Sequence, residues 1–252
     1  MRVTSLLPAL CLLALLLLSA APAPAGQSLP LLTGEWPPYV SDSLEGGGLA
    51  AEVVVHALLA AGLEPSITFA PWTRCESDVR QGRVFAAFPF TPNPDRAEYA
   101  LFSDPVIQAR TVFFYMPERI SRFRYIGLDS LRHVTIGGAR GYFYAPLFQR
   151  AGLRVDYADQ AELSFRKLFL GRVDVVPESE LVGWEMLRRT YPEDWERFAA
   201  TTAALSADPM GLMVSRKWPG ADELLRRFNQ GLQRIRNSGV YGKIEEKYRL
   251  KP

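Results

Sequence analysis

The chain has 252 residues, with 29 Lys and Arg against 27 Asp and Glu, two His and two Cys. This near balance argues against nucleic-acid or membrane-surface binding, which draws its affinity from a basic excess that neutralises phosphates. The length suffices for a sizeable core, in one large domain or two smaller ones.

Arg2 precedes an apolar run from Leu6 to Leu18, and small residues follow as far as Ala23-Pro24-Ala25. This pattern predicts a secretory signal peptide over residues 1–25, and hence a periplasmic protein. The run falls short of the ~20 apolar residues of a membrane span, and Pro22 and Pro24 interrupt any helix beyond it. Lipoprotein processing at Cys11 fits poorly, because Leu12 to Leu18 continue the apolar run past it. Export leaves Cys75 alone, so no intramolecular disulfide forms. With neither His near it in sequence, Cys75 is expected to be a packed residue.

Beyond the leader one pattern occurs twice. A helix over Leu49 to Ala61 ends at Gly62, a strand over Ile67 to Ala70 and a helix over Thr73 to Gln81 follow, and Gly82-Arg83 leads into the strand Val84 to Phe88. The second copy has a helix over Ala145 to Arg150 ending near Gly152, a strand Arg154 to Tyr157, a helix Ala161 to Leu170, then Gly171-Arg172 and the strand Val173 to Val176. Alternating helices and short apolar strands predict α/β units with parallel strands, here in two similar lobes. The runs Val106 to Met116 and Met210 to Ser215 are expected to cross a hinge. The helices Asp222 to Arg236 and Tyr241 to Tyr248 have an apolar face but no lobe of their own, and are expected to pack back on the first lobe.

Trp36-Pro37-Pro38-Tyr39, Thr91-Pro92-Asn93-Pro94-Asp95-Arg96, Phe102-Ser103-Asp104-Pro105, Gly171-Arg172-Val173-Asp174 and Gly239-Val240-Tyr241-Gly242-Lys243-Ile244 occur in order along the chain. Together they resemble the family 3 bacterial extracellular solute-binding proteins, the receptors of polar amino-acid ABC transporters. The resemblance implies the α/β periplasmic-binding-protein type II fold, two α/β lobes joined by two hinge strands with a ligand cleft between them. Lobe 1 would comprise residues 26–115 plus 210–252, and lobe 2 residues 116–209. A small polar solute, an inner-membrane ABC permease and a monomeric state are expected, with no cofactor, no metal and no nucleic acid.

The same resemblance places Arg96 in the cleft, where a planar guanidinium pairs both oxygens of a ligand carboxylate, with the Thr91 hydroxyl donating to the same group. A solvated loop arginine is the plain alternative. Trp36 and Trp72 are the expected aromatic walls, with Tyr39 and Phe90 weaker candidates; core packing is the competing fate of any Trp. Ile136-Gly137-Gly138-Ala139-Arg140-Gly141-Tyr142 is expected to run from a strand into a helix, so amides near Gly141 and Tyr142 could face an anionic group. It lacks the full dinucleotide fingerprint, and the chain has no phosphate-binding loop.

Amino-acid receptors of this family carry an Asp for the ligand's ammonium group five residues beyond the Asp of the Gly-Arg-Val-Asp segment; here that position is Ser179, with Glu178 and Glu180 beside it. Either Glu178 substitutes, or the ligand has no ammonium group. Glu52 and His56 share a helix face but form no zinc motif, and His133 is expected on the surface. The competing functions are a periplasmic enzyme on the same scaffold, resembling cyclohexadienyl dehydratase with Glu178 or Glu35 as acid or base, and a ligand-presenting sensor subunit.

Overall fold

The computed structural model describes residues 28–248, so the expected signal peptide lies outside the described residues. The first unit runs β1 (Leu29–Thr33), α1 (Leu49–Ala60), β2 (Pro65–Phe69), α2 (Trp72–Gln81) and β3 (Ala86–Phe90). Strands β2 and β3 lie parallel on either side of β1. Every residue of β3 is buried, as expected for a central strand covered on both faces. Edge strand β2 alternates in exposure and opens with Pro65, whose missing N–H is tolerated at an edge.

A single helical turn α3 (Pro94–Ala97), the short β4 (Ala100–Phe102) and the long β5 (Ile107–Tyr115) follow. The second unit then repeats the first: β6 (Ile136–Ala139), α4 (Ala145–Arg150), β7 (Val155–Ala158), α5 (Ala161–Phe169) and β8 (Val175–Ser179), with β7 and β8 parallel to β6 on its two sides. The remaining elements are α6 (Glu180–Thr190), β9 (Ala199–Ala200), β10 (Ser206–Ser215), α7 (Ala221–Asn237) and α8 (Val240–Tyr248).

Strands β5 and β10 join the two lobes. Ile107–Thr111 pairs antiparallel with Met210–Ser206, after which Thr111–Tyr115 pairs with β8 in one lobe and Gly211–Val214 with β3 in the other. The exposure of β10 follows this division. It alternates over the first five residues and is uniformly buried over the last five.

Each lobe sheet is covered on both faces. In the first lobe Val53, Val54 and Leu58 of α1 meet Phe228 and Leu232 of α7 on one face, and Cys75 and Val79 of α2 meet Ala87 and Met213 on the other. In the second, consecutive residues Phe113 and Phe114 of β5 serve opposite faces. Phe113 packs with Tyr144 and Phe148, and Phe114 with Phe165 and Trp184. Helix α7 is tied to α1 by arginines as well as by apolar contact: Arg227 and Arg234 donate to the carbonyls of Ala61 and Ala60 at 2.9 and 2.6 Å, at the end of α1 where backbone acceptors are free.

Two local expectations are corrected. The chain does not enter a helix at Gly141; residues 140–144 form a turn, and the six-residue α4 opens at Ala145. Helix α6 was not anticipated. Gly183 lowers its helix propensity, yet any side chain there would strike the Phe114 ring, so packing of α6 on β5 requires the residue that hides the helix.

Gly231 marks the closest approach of α7 to α1, since a Cβ there would collide with the Ala57 carbonyl oxygen. Gly231→Ala should destabilise the protein by about 1–3 kcal/mol through overpacking, measured by urea unfolding.

Candidate ligand site between the lobes

Arg96 is positioned by local structure. The Asn93 side chain caps α3 by accepting from the Arg96 amide at 2.8 Å, and Pro94 occupies the first turn, where no N–H is needed. The guanidinium then turns back toward β3. Its Nη1 donates to the Thr91 carbonyl at 3.1 Å, its Nη2 to Glu76 Oε2 at 3.2 Å, and its centre lies 4.9 Å from the Phe90 ring centroid. Nε is buried without a partner.

Around it is a cavity of about 420 Å³ lined by Trp36, Trp72, Thr73, Glu76, Pro89, Phe90, Thr91, Arg96 and Met210. Five residues singled out from sequence, Trp36, Trp72, Phe90, Thr91 and Arg96, therefore share one cavity. Trp72 opens α2 and meets Phe90 edge to face at 5.5 Å. Trp36 is held by a tight turn in which Trp36 N donates to Val40 O at 2.8 Å, and its ring lies 4.4 Å from that of Tyr39.

Glu76 was not foreseen. It sits in mid-α2, and its place in the site depends on Arg96 and Tyr99 arriving from another segment; Tyr99 donates to Oε1 at 2.6 Å. Burial pushes the Glu76 carboxyl upward, but hydrogen bonds from Tyr99 and Arg96 and the charges of Arg96 and Arg80 outweigh it, holding the group below its ordinary value.

Trp36 also lines a second cavity, of about 400 Å³, with Glu35 and Pro37 on its side and Tyr142, Glu162, Val182, Glu185 and Arg189 among the residues facing them from the other lobe. Glu178 lies beside Tyr142 and Glu162 at the end of β8, and is only 4% exposed. Its Oε1 accepts from Ser179 N at 2.8 Å, whereas Oε2 has no hydrogen-bond partner. The Tyr142 hydroxyl is near enough to lower the carboxyl's pKa but not in bonding geometry with Oε2, which stays unsatisfied. Burial is the dominant influence and raises Glu178 to about 7, with the Glu162 charge adding to it. Burial, then the Glu178 charge, pushes the Tyr142 hydroxyl well upward.

The other candidates are placed differently. Gly141 takes the left-handed conformation at φ +78° and is exposed, lining neither cavity. The amides of Ala139 and Arg140, just before it, donate to the Tyr144 hydroxyl at 3.0 Å and to the Ala158 carbonyl at 2.9 Å. Ser179 meets Tyr39 instead: the two hydroxyls share a hydrogen bond of 3.2 Å across the lobes. Cys75 is buried, with its thiol pushed up to about 11 chiefly by burial, in keeping with a packed residue. No group of three or more metal-ligating residues occurs among the described residues.

The Glu178 carboxyl holds its proton more tightly folded than unfolded, so it favours the folded state below pH 4.5, and this contribution is lost as pH rises toward 7. The full span is of order 3 kcal/mol. Glu178→Gln should remove this segment of the stability–pH curve, as read by urea unfolding from pH 4.5 to 8.

Among solved structures, substrate-binding domain 2 of Lactococcus lactis GlnP in an open conformation is similar with a TM-score of 0.72 at 17% identity, covering 90% of this chain and 97% of that one. The second substrate-binding domain of a putative amino-acid ABC transporter from Streptococcus pneumoniae gives 0.71 at 18% identity, covering 88% and 99%. A histidine kinase sensor domain with similarity to periplasmic binding proteins gives 0.64 at 20% identity, covering 90% and 99%. At these identities the likeness establishes the fold, the periplasmic-binding-protein type II arrangement of two α/β lobes on two hinge strands. No curated protein matches the chain in sequence, and no helix among the described residues is long and apolar enough to cross a membrane. Residues 32–251 match the bacterial extracellular solute-binding proteins, family 3, and the chain belongs to that family.

Proposed function

We propose that this protein is a periplasmic receptor that closes its lobes on a small polar solute, an amino acid or related carboxylate or amine, and delivers it to an inner-membrane ABC permease as a monomer without cofactor. The chain divides between lobes within the crossing segments 107–111 and 206–210. One observation carries this reading. The buried side-chain polar atoms left without a hydrogen bond among the described residues are Arg96 Nε and Glu178 Oε2, one from each lobe. An unsatisfied buried polar group costs about 1–3 kcal/mol, a penalty expected where a ligand completes the bonding. Arg96 and Thr91 would take a carboxylate between the Trp36 and Trp72 walls, and closure would bring Tyr142 and Glu178 of the other lobe over the bound solute.

Calorimetry with amino acids, amines and small carboxylates should find a ligand of roughly micromolar affinity, about 8 kcal/mol. Arg96→Ala should weaken it by ~2–5 kcal/mol. Unchanged affinity would remove Arg96 from the site.

The buried Glu178, poised near neutrality, supports a second reading as a dehydratase acting on cyclic carboxylates, since a general acid works best near the operating pH. An ancestral amino-acid-binding protein described as a precursor of cyclohexadienyl dehydratase has a similar fold, with a TM-score of 0.61. Incubation with prephenate or arogenate decides between the readings: product that disappears with Glu178→Gln would establish the enzyme.

A further inference from the structure

Glu76 has no role in the reading above, yet among the described residues it is the one carboxylate lining the Arg96 cavity. Glu76 lies four residues beyond Trp72 and three beyond Thr73, so it neighbours each on the surface of α2, and all three line that cavity. Each Glu76 oxygen accepts one bond, from Tyr99 and from Arg96, and a carboxylate oxygen can accept more than one. The side chain retains 34% exposure, so a ligand can reach it. Other acids lie outside this cavity: Glu35, Glu162 and Glu185 line the second one. Glu178 lines neither cavity and is raised by burial to about 7, so its negative charge is only partial at neutral pH, and the adjacent position 179 holds an uncharged serine bonded to Tyr39.

We propose that Glu76 is a specificity-determining residue, paired with Arg96 so that the first lobe by itself receives both charges of a small zwitterion. The carboxylate takes the free Arg96 Nε–H and the Thr91 hydroxyl. The cationic nitrogen takes Glu76, among the faces of Trp36, Trp72 and Phe90, a surrounding that attracts cations. A carboxylate ligand without the cation sets a second negative charge beside Glu76 and is rejected. Arg80 also lowers the Glu76 pKa, but it is exposed, stacks over Tyr99 and is absent from the cavity wall.

This inference rests on the solute-binding reading, and the experiment separates the two. The protein is titrated calorimetrically with the l-amino acids, with the matching acids lacking the amino group, and with the matching amines lacking the carboxylate. Wild type should prefer the best-bound amino acid over its des-amino analogue by about 100-fold, and Glu76→Gln should cut that ratio about tenfold or more. If Glu76 serves only to orient Arg96, the amino acid and its analogue weaken together; an unchanged ratio overturns the assignment. Thermal unfolding confirms that the variant is folded, and should it fail to fold, wild type decides alone: equal affinity for an amino acid and its des-amino analogue overturns the proposal. Wild type binding nothing in the panel removes the solute-binding reading and this assignment with it.

Discussion

Five antiparallel residue pairs between β5 and β10 hold the two lobes in register, and the geometry of the site depends on them. Thr111, the last β5 residue of that ladder, also faces Ser179 of β8, so the same strand sets where Glu178 and Ser179 stand. Met210, the other end of the ladder, lines the Arg96 cavity before β10 continues beside β3. A two-strand ribbon permits bending while resisting separation, the mechanics of a hinge that closes on a ligand. The Tyr39–Ser179 hydrogen bond adds a polar contact across the same gap, and the Tyr39 ring supports Trp36, the side chain common to both cavities.

The electrostatics of the two lobes around these cavities are unlike. In the first lobe Arg96 and Glu76 keep 24% and 34% of their side-chain surface, so their ion pair adds little stability and mainly fixes the orientation of the guanidinium. In the second lobe Glu178 is shut away from water with one oxygen unsatisfied, which favours the protonated acid. The first lobe thus carries an ion pair beside its cavity and the second a carboxyl whose charge changes near neutral pH. Local departures from full hydrogen bonding of this kind are expected at functional sites, where the rest of the fold supplies the stability.

The two-lobe plan was legible because it rests on local signals. Apolar runs such as Val173 to Val176 and caps such as Gly62 and Gly82 recur in order in both halves, and the strands they predicted lie parallel on either side of β1 and β6. Trp36 and Trp72 were candidates because each follows a strand end, where α/β sheets gather ligands, and Thr91 and Arg96 because the segment between them resembles the family's. Gly141 fitted the same logic, but a turn rather than a helix follows β6.

Glu76 and the Tyr39–Ser179 bond belong to the tertiary structure alone. Glu76 reads as an ordinary polar residue of an amphipathic helix until Arg96, 20 residues away, folds over it, and Tyr39 meets Ser179 across 140 residues of chain. Periodicity and capping determine which segments become helices and strands, because those depend on near neighbours. Which charges meet, and which stay buried without a partner, depends on where distant segments come together, and only packing of the whole chain decides that.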